Sequence, residues 1–199
     1  MARTPPPVVV LVRHGETAWS RSGQHTGRTD MPLLEEGRKM GELLGAPLHR
    51  WRFAAVWTSP LSRAAETCAR AGYGGVAQAR EDLMEWDYGA YEGRKGTEIR
   101  AERPGWTLWR DGAPNGENAQ RVGERADRVI ADARDLDDNV LIFSHGHFLR
   151  VLAARWLALP PDSGRLFLLS TGSISALSAD GDGTQPALAC WNDTTHLRE

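Results

Sequence analysis

Val8-Val9-Val10-Leu11-Val12 runs directly into Arg13-His14-Gly15-Glu16-Thr17. Five apolar residues without alternation, mostly β-branched, read as a strand buried on both faces. The pattern returns twice. A short strand over 54–58 leads into Ser59-Pro60-Leu61-Ser62-Arg63, and a strand over 139–143 leads into Ser144-His145-Gly146-His147. Helical signals separate them. Residues 33–44 are helical in composition but broken by Gly37 and Gly41, and a helix from Pro60 to about Arg70 is stopped by Gly72. The strongest helix, 117–136, puts Val122, Ala126, Val129, Ile130 and Ala133 on one face. Residues 148–159 form another, ended by Pro160 and Pro161. Stretches 166–169, 174–177 and 187–191 read as closing strands. This order predicts an α/β fold of three layers, αβα, with a mainly parallel sheet and helices on both faces.

The 199 residues are enough for one domain with a substantial core. Residues 1–7 (MARTPPP) read as a proline-rich tail and 8–199 as a single domain. Within it, 86–118 is rich in Gly, Trp, Arg and Glu and is expected to be loop and short helices roofing the active site. The 24 Lys and Arg against 26 Asp and Glu leave a net charge of −2. That balance argues against nucleic-acid or polybasic membrane binding. No apolar run approaches the roughly 18–20 residues of a membrane span. The segment 8–12 is too short for a signal-peptide core. Cys68 and Cys190 form no metal spacing and no disulfide framework, so a cytoplasmic setting is the expectation.

Ligands of such sheets sit beyond the carboxyl ends of the strands. Three of those ends deliver Arg13 and His14, Arg63, and His145. Arginine forks match phosphate oxygens bidentately, imidazole can attack phosphorus, and a second imidazole can steady the transferring group. The His145-x-His147 pair lacks partners at metal-ligand spacing, so no metal is expected and His147 is read as a supporting or structural residue. His49 and His196 read as surface or packing residues.

These stretches resemble the histidine phosphatase superfamily, the phosphoglycerate mutase-like proteins. The resemblance is carried by LVRHGETAW (11–19), TGRTDMPL (26–33), SPLSRAAETC (59–68), EWDYGAYEG (85–93), PNGEN (114–118) and FSHGHFLRVL (143–152). The likeness is greatest to a subgroup of sugar-bisphosphate and broad acid phosphatases that includes a yeast sedoheptulose-1,7-bisphosphatase and a mycobacterial acid phosphatase. It implies the phosphoglycerate mutase-like fold and a phosphomonoester hydrolase acting on a small phosphorylated metabolite, best a sugar phosphate or bisphosphate, without cofactor. It makes His14 the nucleophile, has Arg13, Arg63 and His145 grip the phosphoryl oxygens, and makes Glu85 the proton donor, with a mildly acidic pH optimum expected. By the same likeness Thr17, Ser20, His25, Thr26, Tyr88, Gly146 and Arg150 are substrate contacts. Ser20 stands where many relatives carry Asn and has a shorter reach. Leu34-Glu35 stands where the family often shows Thr-Pro, which removes a helix N-cap worth about 1 kcal/mol.

Two rivals accompany this reading. A cofactor-dependent phosphoglycerate mutase would hand the phosphoryl group back to a bound acid, but the short 94–113 stretch favours water access. A non-catalytic phosphometabolite-binding module would be expected to have lost a catalytic residue. Trp86, Trp106 and Trp109 read as packing the roof to the body, or as lining the pocket. Trp51, Trp57, Trp156 and Trp191 read as core or sheet edge. Arg121, Arg125, Arg128 and Arg134 read as a solvated helix face.

Overall fold

In the computed structural model, which describes residues 6–181 and 183–198, the apolar run 8–12 becomes the centre of a six-stranded sheet. In chain order the elements are β1 (Val9–Arg13), α1 (Ala18–Ser22), α2 (Glu35–Leu43), α3 (Gly45–Leu48), β2 (Ala55–Thr58), α4 (Ser62–Arg70), β3 (Gln78–Ala79), α5 (Gly96–Glu102), α6 (Leu108–Asp111), α7 (Ala119–Asp135), β4 (Val140–Ser144), α8 (Gly146–Trp156), β5 (Ile174–Ala179) and β6 (Pro186–Asp193). The strands are ordered β3-β2-β4-β1-β5-β6. The β1–β4, β4–β2 and β2–β3 pairs are parallel, and β5 and β6 add an antiparallel edge. The predicted three-layer αβα architecture with a mainly parallel sheet is therefore observed.

The unbroken apolar runs serve two cores. Val9, Leu11, Val140 and Ile142 pack with α7 and α8 through Val122, Val129, Phe148 and Val151. Val10, Val12, Leu141 and Phe143 point the other way, to Leu44, Leu48 and Cys68. Alternate side chains of one strand thus feed opposite layers, which is why neither face could be polar.

The register aligns the strand ends. Arg13 pairs with Ser144, and Thr58 with Phe143, so His14, Ser59 and His145 leave the sheet together. The helix over 33–44 is not broken at its glycines. Gly37 and Gly41 are buried in α2, where they let it approach the turn after β1 and α4: a Cβ at Gly37 would lie 2.2 Å from the Glu16 carbonyl oxygen. Leu34 makes no side-chain cap, as the missing Thr-Pro predicts; its N–H instead donates to Glu16 O at 2.9 Å.

Two further readings are corrected. Stretch 166–169 is no strand: a 3-10 turn, Pro161–Leu166, precedes it, Leu166 and Leu168 are exposed, and Leu169 gives its carbonyl to Arg13. The order Pro160-Pro161 seeds a turn rather than a ladder. Arg125 belongs to no solvated face, being buried in α7 against Glu117. The short elements α1, α3, α5, α6 and β3 lack the length at which periodicity speaks. The tail reading for 1–7 falls, over residues 1–5, outside the described residues. No helix among the described residues is long and apolar enough to cross a membrane.

Candidate active site

The turn after β1 places His14 against the sheet end, where its N–H donates to Ser144 O at 3.0 Å. Its ring Nδ1 lies 2.7 Å from Gly15 O. A carbonyl only accepts, so Nδ1 carries the proton and Nε2 keeps a lone pair. Burial, followed by the charges of Arg63 and Arg13, holds the His14 pKa well below the ordinary histidine value, against the opposing pull of the Gly15 carbonyl. The ring is therefore neutral near pH 7. Gly15 is required here because a Cβ would fall 2.2 Å from Gly37 O; its N–H donates to Thr67 Oγ1 at 3.0 Å.

Two arginines flank this ring. Arg13 donates one Nη to Leu169 O, while among the described residues its buried Nε meets no partner. A buried guanidinium N–H of this kind is a donor suited to an anion's oxygen. Gly146 makes room for that fork: a Cβ there would press on Arg13 Cζ and Nε at 3.3 Å. Arg63, fully buried in the first turn of α4, donates from Nη to the carbonyls of Thr26, Gly27 and Thr29 at 2.9–3.1 Å. Its Nε donates to His145 Nδ1 at 3.2 Å. His145, the N-cap residue of α8, then carries its proton on Nε2, which donates to Ser59 Oγ at 2.7 Å. The His14 and His145 ring centroids are 5.2 Å apart. Burial, then Arg63, also pushes the His145 pKa well down.

Glu85 faces these groups from the segment after β3. Its Oε1 accepts from the Trp86 and Phe148 N–H groups, both at 2.8 Å, and its Oε2 from the His147 N–H at 3.0 Å. The carboxyl thus sits on the N-terminal turn of α8, with the spare lone pair on Oε2. His147 Nδ1 is 2.7 Å from the Tyr88 hydroxyl, and Tyr88 stacks on His25 with centroids 4.6 Å apart. Burial, then Arg100, pushes His25 down to about 4. Burial, then the Glu85 charge, holds Tyr88 well above the ordinary tyrosine value.

A cavity of about 200 Å³ collects these groups. Of the expected site residues, Arg13, His14, Ser20, His25, Thr26, Glu85, Tyr88, Gly146 and Arg150 line it. Arg63 and His145 stand behind its wall, bonded as above. Thr17 does not line it: fully buried, it caps α1 by accepting from Ser20 N–H at 3.1 Å. Ser20 Oγ returns the bond by accepting from Thr17 N–H at 2.9 Å. Gly23, Gln24 and Leu169 also line the cavity, as does His147, which the sequence offered only as a supporting or structural residue. None of the tryptophans lines it. Trp86 and Trp109 meet edge-to-face behind His147, and Trp106 is buried with its Nε1 on Gly112 O. Arg150 lies over Trp109 at 4.7 Å and donates to Gly164 O. No group of three His, Cys, Asp or Glu among the described residues could hold a metal ion.

The family model for the histidine phosphatase superfamily (branch 1) matches residues 9–194. The chain belongs to that superfamily. Among its histidine phosphatase relatives it is 41% identical over 170 residues to an acid phosphatase of Mycobacterium tuberculosis, covering 83% of each chain. It is 36% identical over 188 residues to the sedoheptulose 1,7-bisphosphatase of Saccharomyces cerevisiae, covering 77% of this chain and 68% of the yeast protein. The solved structure of an open reading frame from Mycobacterium tuberculosis superposes with a TM-score of 0.88 at 38% identity, covering 94% of this chain and 97% of the other. The superfamily match spans all three strand ends that carry Arg13, His14, Arg63 and His145.

Proposed function

We propose that this chain is a phosphomonoester hydrolase that moves a phosphoryl group from a small phosphorylated metabolite to His14 and then to water. One observation carries the reading: a buried, neutral His14 spends its Nδ1–H on Gly15 O and keeps its Nε2 lone pair free in the field of the Arg13 and Arg63 charges. Attack by Nε2 forms an N–P bond as the ester P–O bond breaks, and the departing alkoxide takes a proton from Glu85. Water then gives a proton to Glu85 and attacks phosphorus, and the N–P bond breaks. Arg13 and Arg63 neutralise the equatorial oxygens. A dianion between His14 and His145 opposes the effect of burial on His145 and pulls its pKa back up.

Ser20, His25, Thr26, Tyr88, Gly146 and Arg150 bind the rest of the substrate in this scheme, while Thr17 holds the loop. The cavity of about 200 Å³ fits a small metabolite. A sugar phosphate or bisphosphate is the best class, supported by the name of the yeast relative. No step calls for a metal or organic cofactor. We also read 8–199 as one domain with 86–118 as its roof, supported by Tyr88 at the cavity wall, and the two free thiols as fitting a cytoplasmic protein.

The test is phosphate release from p-nitrophenyl phosphate, 3-phosphoglycerate, fructose 1,6-bisphosphate and sedoheptulose 1,7-bisphosphate in EDTA, by wild type and His14→Ala. Release by wild type alone is expected. Release by His14→Ala removes His14 as nucleophile. Silence on all four, followed by 3- to 2-phosphoglycerate conversion with a bisphosphoglycerate primer, would replace hydrolysis by mutase activity.

A further inference from the structure

The PNGEN stretch (114–118) and Arg125 of α7 take no part in the proposed phosphoryl transfer, yet both close on the segment that carries Glu85. Arg125 makes a bidentate pair with Glu117, its Nε donating to Oε1 at 2.8 Å and one Nη to Oε2 at 2.9 Å. Its other Nη donates to the Asp82 and Met84 carbonyls, both at 2.9 Å, and the shared Nη reaches Glu85 O at 3.3 Å. Glu117 takes hold on the far side. Its Oε2 accepts from the Asp87 N–H and its own N–H donates to Asp87 O, both at 2.9 Å. Its carbonyl accepts from Trp86 Nε1 at 3.0 Å.

One ion pair therefore grips the backbone at 82, 84 and 85 before the carboxyl and at 87 after it. The guanidinium also lies over the Phe148 ring, 4.9 Å from its centroid, and the Phe148 N–H is one of the three donors to the Glu85 carboxyl. The carboxyl and its main chain are thus located by the same group. The loop fit is close. A Cβ at Gly116 would lie 2.3 Å from Asp87 O, and one at Gly89, where φ is +47°, 2.2 Å from Pro114 O. Only 11% of the Arg125 and 13% of the Glu117 side chain is exposed. Removing two charges from water is a poor source of stability, so such a pair points to a geometric purpose. Neither residue lines the cavity, so any effect on chemistry passes through Glu85.

We infer that Arg125 and Glu117 are positioning residues that hold Glu85 at the leaving-group oxygen, and so set how well the enzyme expels alkoxides. This rests on the reading of Glu85 as the acid. A misplaced acid slows esters whose leaving group needs a proton and spares those whose leaving group does not.

The experiment compares kcat/KM, which ends at release of the alcohol and so excludes the water step that all substrates share, on glycerol 2-phosphate and on p-nitrophenyl phosphate for wild type, Glu85→Gln, Arg125→Met and Glu117→Gln, each checked for folding by circular dichroism. For all three variants the expected loss is about tenfold or more on glycerol 2-phosphate and less than about threefold on p-nitrophenyl phosphate. If Glu85→Gln shows that bias while Arg125→Met and Glu117→Gln lose both activities equally, or lose neither, the positioning role is overturned and Glu85 keeps its own. If Glu85→Gln shows no bias, the acid assignment falls and the inference with it. Glu117→Gln conserves volume and both backbone bonds of residue 117, so it decides the matter if Arg125→Met does not fold.

Discussion

At the residue scale, the site is built by assigning each polar hydrogen. His14 is fixed as an Nε2 base by a carbonyl, and His145 as an Nε2–H donor by an arginine that can only donate. Arg63 shows why the guanidinium is specified. Its three nitrogens reach four acceptors on two separate structures, the 26–29 loop and His145. A lysine ammonium cannot bridge them in one plane. Arg63→Lys is therefore expected to cut kcat/KM on p-nitrophenyl phosphate by about 100-fold or more, the scale of losing a preorganised donor. A loss under about threefold would show that Arg63 serves the loop rather than the phosphoryl group.

At the element scale, α2 is held to the turn after β1 by glycine-to-backbone contact. A methyl at Gly37 meets the Glu16 carbonyl oxygen at 2.2 Å and the Glu16 nitrogen at 2.6 Å. Neither can rotate away. Gly37→Ala is expected to destabilise the fold by about 2 kcal/mol, read as a lowered urea midpoint, whereas Gly75→Ala, with open space around it, should stay near wild type. Equal midpoints would mean that α2 slides freely over the catalytic turn. The same contact explains what the sequence shows and hides. The strands β1, β2 and β4 and the helices α4, α7 and α8 are legible because each buries a periodic or continuous apolar pattern. The glycines of α2 look like breaks because propensity is local, while their purpose lies in neighbours distant along the chain and close in space, Glu16 for Gly37 and Arg70 for Gly41. Arg125 misleads for the same reason: on a helical wheel it shares its surroundings with charged residues, and only the fold brings Glu117 and three carbonyls to it. The stretch 166–169 has strand composition, but its carbonyl at Leu169 is claimed by Arg13. His14, Arg13, Arg63, His145 and Glu85 were legible through their motifs; Gln24 and Leu169 were not, since they enter the cavity by loop geometry alone.

At the scale of the whole molecule, burying basic groups together makes stability depend on pH. His14, His25, His145 and His147 all have folded-state pKa values below the ordinary value, in each case first through burial. The unfolded chain then binds more protons than the folded one below about pH 6.5. Their contribution is complete above that pH and is lost as the pH falls through the folded values. For His25, which titrates at about 4, each pH unit between those limits costs about 1.4 kcal/mol. The thermal midpoint is expected to decline from pH 6.5 downward, before most carboxylates titrate. A midpoint unchanged between pH 7 and 5 would contradict neutral burial of these rings. A bound dianion raises His145, so phosphate in the buffer should reduce the decline.

The central claim is that the phosphoryl group passes through His14 rather than directly to water. The most direct measurement is the stereochemical course at phosphorus, using a phosphorothioate ester made chiral with oxygen isotopes and hydrolysed in isotopic water. Two in-line displacements, onto Nε2 and off it, give net retention of configuration, the predicted result. Inversion would show a single displacement by water and would contradict the account.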